Sequence, residues 1–245
     1  MKERVQLLDM AVDIVSTKDA SDLTKQLIEE EGSRVVYLVN SETLLLLQAD
    51  QQLKAVVEES ELILPASVSV NASIDQVLGH KRDSFFLESY IDKILDYSIE
   101  MGYEVLLVAE NESRFISIQE NIHEKRPVLT MSGLYLTEQE ESMDHLVNEI
   151  NSVAPDILLL ALNEKEQLSL LNSFRSQMNA GLILFAGNVL YNQAVTEAEV
   201  PVPIQKLKID NLYKWFRMGD RIKMFWTNLA MKLQLLRHNK DDKPQ

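Results

Sequence analysis

Six short apolar runs, rich in Leu, Val and Ile, punctuate the chain at 34–39, 61–64, 104–108, 127–131, 156–161 and 181–186. Their length and composition predict buried strands. Between them the apolar positions recur at helical spacing. Phe86, Tyr90, Ile91, Ile94, Leu95 and Ile99 share one predicted face. Thr137 followed by Glu140 matches a capping box, in which each side chain satisfies a backbone N–H near the helix start, and it predicts a helix through about Ile150. Strands separated by helices of this length imply parallel crossovers, hence an α/β fold with a mostly parallel sheet flanked by helices. The VPVP run at 200–203 breaks the pattern. It divides a predicted body, 1–203, from an appendage, 204–245.

The appendage carries its own pattern. Ile222, Phe225, Trp226, Leu229, Leu233 and Leu236 fall on one helical face, flanked by Arg221, Lys223, Lys232, Arg237 and Lys240. Two uses are open to such a helix. It can pack on its own domain with a solvated basic edge. Alternatively it can lie in a membrane interface, with Ile222, Phe225, Trp226, Leu229 and Leu233 buried and Arg237 over anionic headgroups. Charge sharpens the contrast: residues 203–245 hold ten Lys and Arg against four Asp, although the whole chain has a net charge of −14. So acidic a body repels nucleic acid, whose binding depends on phosphate neutralisation. No nucleic-acid partner is expected.

The remaining composition mostly excludes. With 245 residues, 46% hydrophobic and 25% charged, the chain has the makeup of a folded globular protein. It has no cysteine, which removes disulfides, thiolate metal sites and cysteine nucleophiles. The N-terminus intersperses charges among apolar residues and does not read as a secretory signal. No apolar stretch is long enough to span a bilayer, so a cytoplasmic location is expected. Neither common glycine-rich phosphate loop occurs, nor a nucleophile elbow. The four histidines lack metal-ligand spacing, and neither a metal nor any other cofactor is called for.

The order of segments is nonetheless informative. Val35 to Glu42, with Asn40 and Glu42 closing the strand, then Leu62-Ile63-Leu64-Pro65, then Pro155 to Leu162 followed by Gln167, and finally Leu212-Tyr213-Lys214 with Arg221, together resemble the WecG/TagA/CpsF glycosyltransferase family. The likeness runs from about residue 5 to 236. It implies a Rossmann-like α/β fold. It also implies transfer of N-acetylmannosamine or a related sugar from a UDP-sugar to a polyprenyl-diphosphate-linked acceptor. Such chemistry serves surface-glycopolymer synthesis (teichoic acid, capsule or a related polysaccharide) at the cytoplasmic membrane face, and the family's basic C-terminal segment associates with the membrane and helps complete the active site. By the same resemblance Asn40, Glu42, Gln167 and Arg221 are candidate substrate-binding residues. Their ordinary structural roles are a helix cap for Asn40, a solvated helix position for Gln167, and a solvated or lipid-contacting charge for Arg221.

Departures from the family fall where chemistry is expected. The family's Leu-Pro run leads into an aspartate proposed as catalytic base, and Ala66 stands in that place. An alanine methyl cannot accept a proton, and the following Ser67 is too weak a base unless activated. A Gly-x-Asp on the next helix becomes Leu87-Glu88-Ser89, and a glycine turn becomes Ala109-Glu110-Asn111-Glu112, which sets carboxylates where a diphosphate would approach. Of the Gly-Leu-Gly-x-Pro-x-Gln-Glu segment only Leu162 and Gln167 survive. These changes point to a catalytically silent relative that partners or regulates an active glycosyltransferase, by association with a paralogue or with itself and through an anionic lipid surface. The rival reading is an active transferase with its base relocated to Asp75, Asp83 or Glu88. A third is a module that binds a UDP-sugar without turnover.

Overall fold

The computed structural model describes residues 3–136, 143–187, 190–191, 227–231 and 233–235. Its centre is a six-stranded sheet of β3 (Arg34–Val39), β4 (Leu62–Pro65), β5 (Val105–Ala109), β6 (Met131–Tyr135), β7 (Ile157–Ala161) and β8 (Leu182–Phe185). The strand order is β4-β3-β8-β7-β5-β6 and every pairing is parallel. All residues of β4, β5, β7 and β8 are buried. That explains why these strands read as unbroken apolar runs rather than alternating ones. Helices cover both faces: α1 (Thr17–Glu29), α2 (Ser41–Ala49), α3 (Gln51–Glu58), α4 (Val68–Leu78), α5 (Leu87–Met101), α6 (Glu112–Lys125), α7 (Met143–Val153) and α8 (Glu164–Phe174). The expected Rossmann-like α/β fold is the fold observed.

One local element is unannounced and two local expectations need correction. Ahead of the sheet lies an antiparallel hairpin, β1 (Arg4–Leu7) and β2 (Met10–Asp13), which the apolar pattern does not announce. Its turn residues Leu8 and Asp9 both have positive φ, 51° and 64°, the primed geometry usually supplied by Asn-Gly. The completely buried Asp13 carboxylate accepts from Arg4 Nε at 2.7 Å and from the Ile63 amide at 2.7 Å, fixing the hairpin along the β4 edge. The sixth strand starts at Met131 rather than Pro127. Arg126, buried against α5, donates to Asp96 at 2.6 Å and Asp92 at 2.9 Å, and the Leu129 amide turns back to the Arg126 carbonyl at 3.1 Å. That anchor holds the preceding residues in a turn. On α5, Tyr90, Ile91, Ile94 and Leu95 are buried as expected, whereas Phe86 is the N-cap residue and 65% exposed. The start of the helix predicted from Thr137 lies outside the described residues, and α7 continues to Val153.

Backbone contact between neighbouring strands is tight at Gly181. A Cβ built there would stand 2.7 Å from the Asp156 carbonyl oxygen, a main-chain atom that also accepts from the Leu182 amide at 2.8 Å. Gly181→Ala is therefore expected to cost about 1–3 kcal/mol, as overpacking against backbone does. Urea unfolding of the two proteins measures it.

A candidate crevice at the carboxyl ends of the strands

After β4 the chain crosses from one half of the sheet to the other, and β8 and β7 fill the gap between β3 and β5. In an open parallel sheet such a switch point is where ligands bind, outside the carboxyl ends of the strands. Asn40 follows β3, Asn163 follows β7 and Gly187 follows β8, so three loops meet there. Asn40 caps α2: its Oδ1 accepts from the Glu42 amide at 2.8 Å and the Thr43 amide at 3.0 Å. Its Nδ2 donates to Glu164 Oε1 at 2.7 Å, and Thr43 Oγ1 donates to Glu164 Oε2 at 2.6 Å. Glu164, only 4% exposed in the first turn of α8, thereby joins α8 to the start of α2.

Gln167 is one turn further along α8. It is completely buried, not a solvated helix residue, and its Oε1 accepts from the Gly187 amide at 2.9 Å. Gly187 has φ +57°, and a Cβ there would lie 2.9 Å from Glu164 Oε1 and 3.0 Å from Gln167 Nε2. Only glycine fits this corner without displacing both side chains. Tyr37, stacked on Phe185 within the sheet, has its hydroxyl pKa pushed well up, first by burial and second by the nearby Glu164 charge. The Tyr37 hydroxyl and Gln167 Nε2 are buried with no hydrogen-bond partner among the described residues.

Ala66 lies at the end of β4, buried, with its amide bonded to the Val39 carbonyl at 2.7 Å. Beside it is a cluster of serines. Ser67 caps α4, accepting from the Val70 amide at 3.3 Å, and its hydroxyl lies 2.9 Å from Ser69 Oγ. Ser69 donates to Asn228 Oδ1 at 2.9 Å, and Ser41, at the start of α2, donates to the same oxygen at 2.6 Å. Each hydroxyl has one proton. With Ser69 and Ser41 both donating to Asn228, the Ser67 proton goes to Ser69. Among the described residues no carboxylate or imidazole takes part in this chain of bonds, so none of them activates Ser67.

The far side of the crevice is acidic. Glu110 follows β5 and pairs with Arg114 on α6, whose guanidinium lies 4.8 Å from the Tyr191 ring centre. Glu166, in the first turn of α8, has its pKa raised, chiefly by burial and next by the Glu110 charge. A carboxyl whose folded pKa is raised binds a proton more readily in the native state. Its neutralisation therefore favours folding at low pH, and stability is lost as pH rises from the ordinary carboxylate range through the raised value. Glu166→Gln is expected to melt higher than the native chain at pH 7, with the gap closing below about pH 4, where the carboxyl is protonated in both states. Melting curves across that range check the sign.

The other sequence candidates are dispersed. Asp75 pairs with Arg82 Nε at 3.3 Å and lies two turns along α4, roughly 12 Å from the Ser67 cap at 1.5 Å per residue. Asp83 and Glu88 are exposed, Asp83 in the segment before α5 and Glu88 in its first turn, and neither joins the serine cluster. Glu42 is half-buried in the first turn of α2. Arg221, Ile222, Phe225, Trp226 and Arg237 lie outside the described residues. Of the appendage face, Leu229 and Leu233 are described, in helical backbone, and are 37% and 51% exposed. The body takes a different face of this helix: Met231 and Leu235 are buried in the main core, and Asn228 reaches the serines. At 100° per residue the two faces are roughly 140° apart. Among the described residues no helix is long and apolar enough to cross a membrane.

The residues that sequence reasoning passed over are Glu164, Tyr37, Thr43 and Asn228. No curated protein matches the sequence. The family model described as "Glycosyl transferase WecG/TagA/CpsF family" matches residues 5–244. With nearly the whole chain covered, and with the parallel sheet in place, the chain belongs to the WecG/TagA/CpsF glycosyltransferase family.

Proposed function

We propose that this chain is a catalytically silent member of its family, a partner or regulator of an active glycosyltransferase in surface-glycopolymer synthesis at the cytoplasmic membrane face. The observation that carries the reading is at the end of β4. The position expected to hold the base is a buried alanine, and the neighbouring serine protons run to an amide oxygen. Two further features support it. Glu110 and Glu166 make the far side of the crevice unfavourable for a diphosphate, and the exposed Leu229 and Leu233 lie within a strongly basic segment suited to an anionic bilayer. The test is to add the full chain to an intact family enzyme on vesicles containing anionic lipid. Association with the enzyme and a changed transfer rate are expected. An enzyme whose rate and sedimentation are indifferent to the chain contradicts the proposal.

A second reading keeps the chain active, transferring N-acetylmannosamine or a related sugar from a UDP-sugar with a relocated base. One observation favours it: Glu166 is a half-buried carboxyl beside the crevice whose pKa is raised, as a general base requires. On this reading Glu166→Gln removes transfer while leaving UDP-sugar binding in place. On the silent reading there is no transfer to remove.

A further inference from the structure

We propose that Asn228 is an internal plug that holds the crevice beside Ala66 shut. The receiving site is assembled from two helices. Ser41 is the first residue of α2, Ser67 is the N-cap of α4 and Ser69 lies in the first turn of α4. Both helices direct the positive ends of their dipoles toward this corner, which favours an electron-rich atom there. The atom present is Asn228 Oδ1, accepting from Ser41 at 2.6 Å and from Ser69 at 2.9 Å. It arrives from 187 positions away in sequence from Ser41 and 159 from Ser69. Met231 and Leu235, three and seven residues beyond it, are 1% and 5% exposed and seat the same helical face in the core. The segment is therefore held by two apolar anchors and one polar fastener, and the fastener is the part that enters the crevice.

The consequence is competitive. Any ligand presenting acceptor oxygens to these serines has to displace Asn228 first, so its apparent affinity falls by the fraction of chains in which the plug is out. Removing the amide leaves Met231 and Leu235 in place and raises the open fraction without unfolding the sheet. Replacing it by a carboxylate keeps the acceptor and strengthens its attraction to the hydroxyls and helix ends. The proposal concerns the chain's own segment and stands whether or not the protein is catalytically silent.

The chain has no cysteine, so a single introduced thiol reports access. Ala66→Cys places the reporter in the crevice, and Ala180→Cys places a control in an equally buried position at the opposite end of the sheet. Labelling by an aromatic disulfide reagent is followed in the full chain with and without Asn228→Ala or Asn228→Asp. Loss of two hydrogen bonds should speed labelling at position 66 roughly tenfold. Asn228→Asp should leave it as slow as in the parent or slower, and position 180 should not respond to either change. Unchanged labelling at 66 in Asn228→Ala overturns the proposal, as does equal acceleration at 66 and 180. Should Asn228→Ala fail to fold, Ser41→Ala combined with Ser69→Ala removes both donors to Asn228 from the other side and must give the same pattern.

Discussion

Replacing Glu164 by alanine should lower folding stability by about 3 kcal/mol, because one buried and one half-buried donor are left without their charged acceptor. The donors are Asn40 Nδ2 and Thr43 Oγ1, at 2.7 Å and 2.6 Å, and the carboxylate they lose is 4% exposed. For a chain of this size the melting temperature should fall by roughly 6–12 °C. Glu164→Gln keeps a carbonyl oxygen for one donor and should cost about half as much. Hydrogen exchange should locate the loss at the start of α2 and the first turn of α8, which Glu164 connects. A melting temperature unchanged in Glu164→Ala would mean that water replaces the carboxylate without penalty and that the corner is not a closed polar cluster.

Ala66→Asp should be the second severe change. The position is 8% exposed, and the serine protons beside it are already directed to each other and to Asn228. An aspartate there must either stay protonated or enter a buried site as an unpaired charge, at a cost of about 3–5 kcal/mol near neutral pH. Burial raises a carboxyl pKa, so the penalty should shrink as pH falls toward the ordinary aspartate value of about 4, and the group is neutral in both states only below it. Denaturation at pH 7 and pH 4 checks both size and sign. Sugar transfer should not appear with the aspartate, because Glu110 and Glu166 still line the opposite side. Restored transfer would mean that loss of the base alone had silenced the chain.

Much of the fold was legible because parallel strands buried on both faces write themselves as short apolar runs, and five of the six runs coincide closely with strands. The order of those strands in the sheet has no such trace, since it depends on which crossovers pass over which. The hairpin was missed because Leu8 and Asp9 adopt a turn that sequence rules assign to glycine and asparagine. Candidate-site residues were harder. Asn40 and Gln167 stood out only through family resemblance. Glu164 reads as a solvated acid after an Asn cap, and its partners Asn40 and Thr43 are 124 and 121 positions away. The one local hint was Gly187, a glycine in a chain with only seven, at the corner that Glu164 and Gln167 enclose. In the appendage, periodicity found an apolar stripe but not the direction it faces: Leu229 and Leu233 point outward because Met231 and Leu235 hold the body.

That outward stripe carries a consequence for membranes. Leu229→Glu with Leu233→Glu removes exposed apolar area without touching the buried anchors, so stability should change by under about 1 kcal/mol. Flotation with anionic vesicles should fall severalfold, since each charge opposes insertion and subtracts from the basic attraction. Equal flotation of the variant and the native chain would assign any membrane contact elsewhere.

On the proposed reading the family scaffold persists here without its chemistry. The direct measurement is a transfer assay on the purified full chain with UDP-N-acetylmannosamine and a polyprenyl-diphosphate-linked acceptor, run beside an intact family member. No product is expected from this chain at any enzyme concentration that remains monodisperse. Product formed by the chain alone, and abolished by Glu166→Gln, would contradict it and make this an active transferase with a relocated base.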